Sequence, residues 1–148
     1  MDTSVLGGCF DAEFAEWSNR LLRRFRRGEF AAVLSAVTAA EVEQAPEAVG
    51  RVYDELVGIG SEVALVSTEA MELLTAYERR GMLGPKLGND MLHIAVATVA
   101  EVDVLVSWNF RHIVRLDRIR QFNSVNMEGN SGFTVGMSAW RWVERFCS

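Results

Sequence analysis

The stretch GNDMLHIAVATVAEVDVLVSWNFRH, residues 88–112, constrains the fold of this chain more than any other. Leu92, Ala95, Val96 and Val99 recur at helical spacing behind Asn89, a capping residue type, and an acidic Asp90, which predicts a helix with an apolar face. Val104-Leu105-Val106 is too short and too β-branched for a helix and has no polar side, which predicts a strand buried on both faces. Asn109 then stands just past the C-terminal end of that strand, where open α/β sheets bind their ligands.

The rest of the chain alternates in the same manner. Residues 1–8 read as the end of a strand and a Gly-containing turn. Asp11 is placed to cap a helix with the apolar line Phe14, Trp17, Leu21 and Phe25, closing at Gly28. Residues 31–34 read as a strand and 35–38 as a turn, with Thr38 capping a helix that carries Glu41. Pro46 starts a helix through Val49, Val52, Leu56 and Val57 that ends at Gly58 and Gly60. Residues 62–66 read as a third strand, and Ser67 or Thr68 caps a helix running to about Arg80. Gly81, Gly84, Pro85 and Gly88 break the chain into a loop. Beyond the central stretch, residues 111–120 are basic and read as helical, 123–132 as a loop and 133–137 as a last strand. Ser138 caps an amphipathic tail with Trp140, Val143 and Phe146. Strands alternating with helices over short connections imply a parallel sheet covered on both faces. With 148 residues and no repeat, linker or low-complexity stretch, a single domain over residues 1–148 is expected.

A net charge of −5 excludes a global basic signature for nucleic acid, so any such binding falls to local patches. Two are present: Arg20, Arg23, Arg24 and Arg27 form a helical stripe, and Arg111, His112 and Arg115 follow the central strand directly. The stripe is read first as the solvated C-terminal end of a helix, where cations favour the negative pole, with a contact to RNA or a partner the lesser alternative. The second set is the better placed for phosphate contact. Cys9 and Cys147 lie near opposite ends without metal-ligand spacing and read as free thiols of a reducing compartment. No signal peptide and no apolar run of about 20 residues is present, so a cytoplasmic protein without membrane contact is expected.

Four polar residues fall at predicted strand ends or helix starts: Asp2, Glu41, Asp90 and Asn109. Oxygen ligands converging in such a crevice suit hard divalent cations, Mg²⁺ or Mn²⁺. Without a cation the carboxylates would repel one another. Asp103 is set apart, six residues before Asn109 and at the opposite end of the strand.

The segments Asp2-Thr3-Ser4-Val5-Leu6, Thr38-Ala39-Ala40-Glu41-Val42, Asp90-Met91-Leu92-His93-Ile94-Ala95 and Asp103-Val104-Leu105-Val106-Ser107-Trp108-Asn109 occur in an order and spacing that resembles the PIN domain family, in particular the VapC-type toxin nucleases and stand-alone PIN proteins. The resemblance runs from Asp2 to about Asn126. It implies a three-layer α/β/α domain around a central parallel sheet of four to five strands, and a metal-dependent ribonuclease that uses Mg²⁺ or Mn²⁺ and a metal-activated water on RNA. It also implies Asp2, Glu41, Asp90 and Asn109 as catalytic metal ligands, an antitoxin partner if the chain is a toxin, and a homodimer for which the apolar tail, with Trp142, offers a surface. The chain departs from the family twice. Only Met1 precedes the first Asp, so the first strand is either stunted or begins before these residues. Asn109 stands where an Asp is frequent and supplies no charge, so a second metal should be held more weakly.

Around these positions, Ser4 and Ser107 are expected to orient ligands or to serve as caps. Glu43 is assigned to solvent, because residues two apart on a helix face different ways. His93, three residues after Asp90, reads as a hydrogen-bonded, partly buried histidine, with a metal role the lesser alternative. Trp108 reads as a core or rim aromatic, and His112 as a surface residue or phosphate contact. The Gly7-Gly8 pair lacks the Lys-Ser/Thr of a phosphate loop. A catalytically weak PIN fold acting as an RNA- or protein-binding module is the competing expectation. A phosphohydrolase with Asp2 as nucleophile is disfavoured, because Ser4 stands where a second Asp would be needed.

Overall fold

A computed structural model describes residues 1–82, 84, 87–113 and 115–128. Among these the element order is α1 (Thr3–Gly8), α2 (Ala15–Arg26), β1 (Val33–Ser35), α3 (Ala36–Val42), α4 (Glu47–Gly58), β2 (Glu62–Ala64), α5 (Thr68–Arg79), α6 (Gly88–Val99) and α7 (Leu116–Glu128). The fold is mixed α/β. β1 and β2 pair in parallel, with Val33 opposite Glu62, Leu34 opposite Val63 and Ser35 opposite Ala64. No described helix is long and apolar enough to cross a membrane.

The β layer is smaller than the sequence predicts. Among the described residues two strands pair, not four or five. Residues 104–106 do not join a ladder, yet they lie where a strand would. Asp2 N donates to the Val106 carbonyl at 3.0 Å, and the Met1 amine donates to the Val33 carbonyl at 2.8 Å. The first two residues thus bridge β1 and the 104–106 segment. Side chains alternate across this layer as they would in a sheet. Val33 and Leu105 pack into a core shared with α5, α6 and α7. Leu34 joins Leu6, Leu22, Val49 and Leu56 on another core, while Val106 joins Val5, Leu21 and Trp108.

Several boundaries differ from expectation for identifiable reasons. Residues 3–8 are helix α1, not a strand end and turn: Val5 and Leu6 are fully buried, in separate cores, and packing overrides the two glycines. Gly8 permits this helix to approach its neighbours, since a Cβ there would stand 2.5 Å from Ser18 Oγ and 2.7 Å from the Trp108 ring. Ser35, not Thr38, caps α3; its hydroxyl accepts from Thr38 N at 3.1 Å. Ser67 caps α5 in the same way, accepting from Ala70 N at 3.2 Å. β2 ends at Ala64, short of Val66. α6 opens one residue before Asn89, which therefore lies inside the first turn. Residues 111–113 form a turn, and α7 runs from Leu116 through Asn123 to Glu128, where a loop was expected. Phe122, Val125 and Asn126 are buried on its inner side, which holds the polar C-terminal half of that helix in place. The predicted strand 133–137 and the tail with Ser138, Trp140, Trp142, Val143, Phe146 and Cys147 lie outside the described residues.

Candidate metal centre

Asp2 has extended backbone immediately before α1 and is fixed by its hydrogen bond to Val106. Its carboxylate is almost entirely buried, 6% exposed. Oδ2 accepts from Ser4 Oγ at 2.6 Å and from Ser107 Oγ at 2.5 Å. Both serines are further tied into the fold: Trp108 N donates to Ser4 Oγ at 2.9 Å, and Asn109 N to Ser107 Oγ at 2.9 Å. The expected orienting role of Ser4 and Ser107 thus has a geometric counterpart, and the other Asp2 oxygen is left toward the crevice.

Glu41 enters from the last turn of α3. Its Oε2 accepts from the Thr3 hydroxyl and lies 3.0 Å from His93 Nε2, and Oε1 accepts from Asn89 Nδ2 at 3.3 Å. Burial pushes this carboxyl's pKa up, but the hydrogen bonds from His93 and Thr3 outweigh it and hold the group below its ordinary value. Glu43 is exposed, as helical geometry requires.

His93 is the residue that joins these acids. It is 4% exposed on α6, and its Nε2 also lies 3.5 Å from Asp2 Oδ1. Because both neighbours are carboxylates, Nε2 carries the proton and donates. Asp2, Glu41 and His93 each offer one ligand atom within 4.8 Å of the others. Among the described residues no lysine or arginine pairs with Asp2 or Glu41; their ion-pair partner is His93. One buried and one half-buried carboxylate facing a single imidazole leave negative charge that a cation would offset.

Asp90 falls outside that trio and forms a second group beside it. Asn109 Nδ2 donates to Asp90 Oδ1 at 3.1 Å, and His112 Nδ1 lies 2.9 Å from Asp90 Oδ2. Asn109 Oδ1 accepts from His112 N at 3.0 Å. That backbone donor fixes the amide's orientation and turns its NH₂ to Asp90. The two groups are linked through Ser107 and through Asn89, which neighbours Asp90 on the first turn of α6.

The structure therefore brings Asp2 and Glu41 together directly, and Asp90 and Asn109 together as a neighbouring pair. His112 is partly exposed and pairs with Asp90. Arg111 is exposed, and Arg115 is engaged with Asp117 through bonds of 3.1 and 3.0 Å. Trp108 is 8% exposed, donates from Nε1 to Ser18 Oγ at 2.8 Å and stacks on Phe14, so it is a core aromatic. His93 is buried and hydrogen-bonded as expected, and its contacts with both Asp2 and Glu41 are what the sequence did not indicate. Its only signal was the i, i+3 spacing from Asp90 on the helix that opens the stretch.

Comparisons with protein-family profiles, with curated proteins and with solved structures return no match.

Proposed function

We propose that this chain is a divalent-metal-dependent endoribonuclease of the PIN class, built on the convergence of Asp2, Glu41 and His93. The observation that carries the reading is that trio: three donor atoms within 4.8 Å of one another, two of them carboxylate oxygens paired, among the described residues, with His93 and with no lysine or arginine. The donor set fits Mg²⁺ or Mn²⁺ through its oxygens. Side chains alternating across the Met1–Asp2 and 104–106 backbone support the wider α/β/α layering and a central sheet of four to five strands.

When bound, a divalent ion supplies the positive charge that acidifies a water and offsets charge developing on a phosphodiester. The residues have separate duties. Asp2, held by Ser4 and Ser107, and Glu41, held by Thr3 and Asn89, would hold the ion through their oxygens. Asp90 is clamped by Asn109 and His112 and would serve as the site's outer carboxylate. Asn109 acts by positioning Asp90, since its carbonyl oxygen already serves His112 N. Arg111 is the exposed cation nearest in sequence to this pair and is the choice for a phosphate contact. The wider assignment follows the family resemblance: an RNA substrate, a cytoplasmic setting, an antitoxin over the crevice if the chain is a toxin, and a homodimer.

One observation favours a second reading. Because Asn109 brings no charge and its oxygen is engaged, the Asp90 side of the crevice lacks the full acid set, which suits a weakly catalytic module that binds RNA or protein. Replacing Asp90 with Asn separates the two. A nuclease loses Mn²⁺-dependent cleavage of a single-stranded RNA pool by about 100-fold or more. Undiminished, chelator-sensitive cleavage by Asp90→Asn would overturn the assignment of Asp90. Absence of cleavage by the unaltered chain would leave the binding module.

A further inference from the structure

We infer that His93 is itself a ligand to the ion, and that this nitrogen donor turns the site away from Mg²⁺ toward ions that accept imidazole. The inference rests on the metal-dependent reading above and deepens it by naming what selects the ion. His93 Nε2 stands 3.0 Å from Glu41 Oε2 and 3.5 Å from Asp2 Oδ1. Donors about 2.0–2.2 Å from one ion are separated by about 2.9–3.6 Å in octahedral or tetrahedral arrangement. The imidazole nitrogen therefore sits at the spacing of an adjacent ligand from each acid, and all three donor atoms lie within 4.8 Å of one another. His93 is 4% exposed and lies on a regular helix, so solvent does not compete for its place.

The donor set then decides the preference. Mg²⁺ retains its waters and favours oxygen, whereas imidazole suits later transition ions, and affinity at a mixed nitrogen and oxygen site rises from Mn²⁺ to Cu²⁺ and falls again at Zn²⁺. Nε2 donates a hydrogen to the acids without an ion; as a ligand it must be unprotonated, with the proton moved to Nδ1 or released to solvent. Mn²⁺ is the useful probe, because it tolerates the carboxylates and is paramagnetic.

The experiment is pulsed electron paramagnetic resonance of Mn²⁺ on the full chain, reading the nitrogen modulation that a directly bound imidazole gives. The chain has two histidines, His93 and His112. The expected result is a ¹⁴N modulation that changes to the ¹⁵N pattern on histidine labelling, persists in His112→Gln and disappears in His93→Gln. In competition, Mg²⁺ should displace Mn²⁺ from His93→Gln about tenfold or more readily than from the unaltered chain. Labelling and His112→Gln decide the origin of the signal even where His93→Gln does not fold. Bound Mn²⁺ without nitrogen modulation, or modulation lost only in His112→Gln, overturns the inference and leaves the metal reading standing. Failure of Mn²⁺ to bind the unaltered chain overturns both.

Discussion

His93 shows how a side chain changes meaning when a fold closes. In the sequence it is a histidine on an apolar helix, and it is indeed buried and hydrogen-bonded. What the local pattern does not contain is Glu41, 52 residues earlier, and Asp2, which the fold places within 3.0 and 3.5 Å of the same nitrogen. Glu41 carries a pH signature of this contact. Its charged form is favoured in the folded chain, so its stabilising contribution is present above the ordinary value of 4.5 and is lost as pH falls through the lower folded value. Between about pH 5 and pH 3, Glu41→Gln should therefore lose stability less steeply than the unaltered chain in urea titrations. Parallel acid limbs would show that the His93 and Thr3 bonds do not stabilise the carboxylate. Gly8 makes a different kind of demand. A methyl group there meets Ser18 Oγ and the Trp108 ring well inside contact distance, so Gly8→Ala should cost about 1–3 kcal/mol by chemical denaturation. An unchanged denaturation midpoint would mean that α1 can shift without loss.

Helices α2, α4, α5 and α6 were legible because each has twelve residues, long enough for a helical period to declare itself. α1 was not, because six residues with two glycines hold under two turns of pattern, and its helicity comes from burying Val5 and Leu6 on different partners. α7 outran its expected end for a similar reason. Its Asn126 accepts from Tyr77 Oη at 2.5 Å and donates to Thr98 Oγ1 at 3.2 Å, so a polar residue type that argues for a loop is fixed between α5 and α6. Cap identity slipped at α3, where Ser35 and Thr38 are both capping types and only the structure selects between them. Ser35 is buried and also contacts the Thr38 hydroxyl at 3.0 Å, whereas Ser67 makes its capping bond at a more open site. Ser67→Ala should cost about 1 kcal/mol and Ser35→Ala up to about 2 kcal/mol, read from denaturant midpoints. Equal costs would remove the distinction drawn between the two caps.

Taken together, the chain places Asp2 where the backbone of its first two residues meets β1 and the 104–106 segment, with α3 and α6 bringing Glu41 and His93 to it. The alternation of strands and helices foretold the parallel pair, but not that so little of the β layer would form a ladder. Part of the arrangement was readable from ordered motifs: Asp2 and Glu41 meet at His93, and Asp90 and Asn109 hydrogen-bond each other. The division of labour was not. Asp2 and Glu41 face a common histidine, while Asn109 turns its amide to Asp90 and its oxygen away, a distinction set by one backbone N–H at residue 112. The central claim is that this cluster is a cation site and not merely a buried hydrogen-bond network. The most direct test is calorimetric titration of Mn²⁺ into the full chain beside Asp2→Asn. The account predicts saturable binding by the unaltered chain, weakened by about tenfold or more in Asp2→Asn. No binding to the unaltered chain, or equal binding to both, would contradict it.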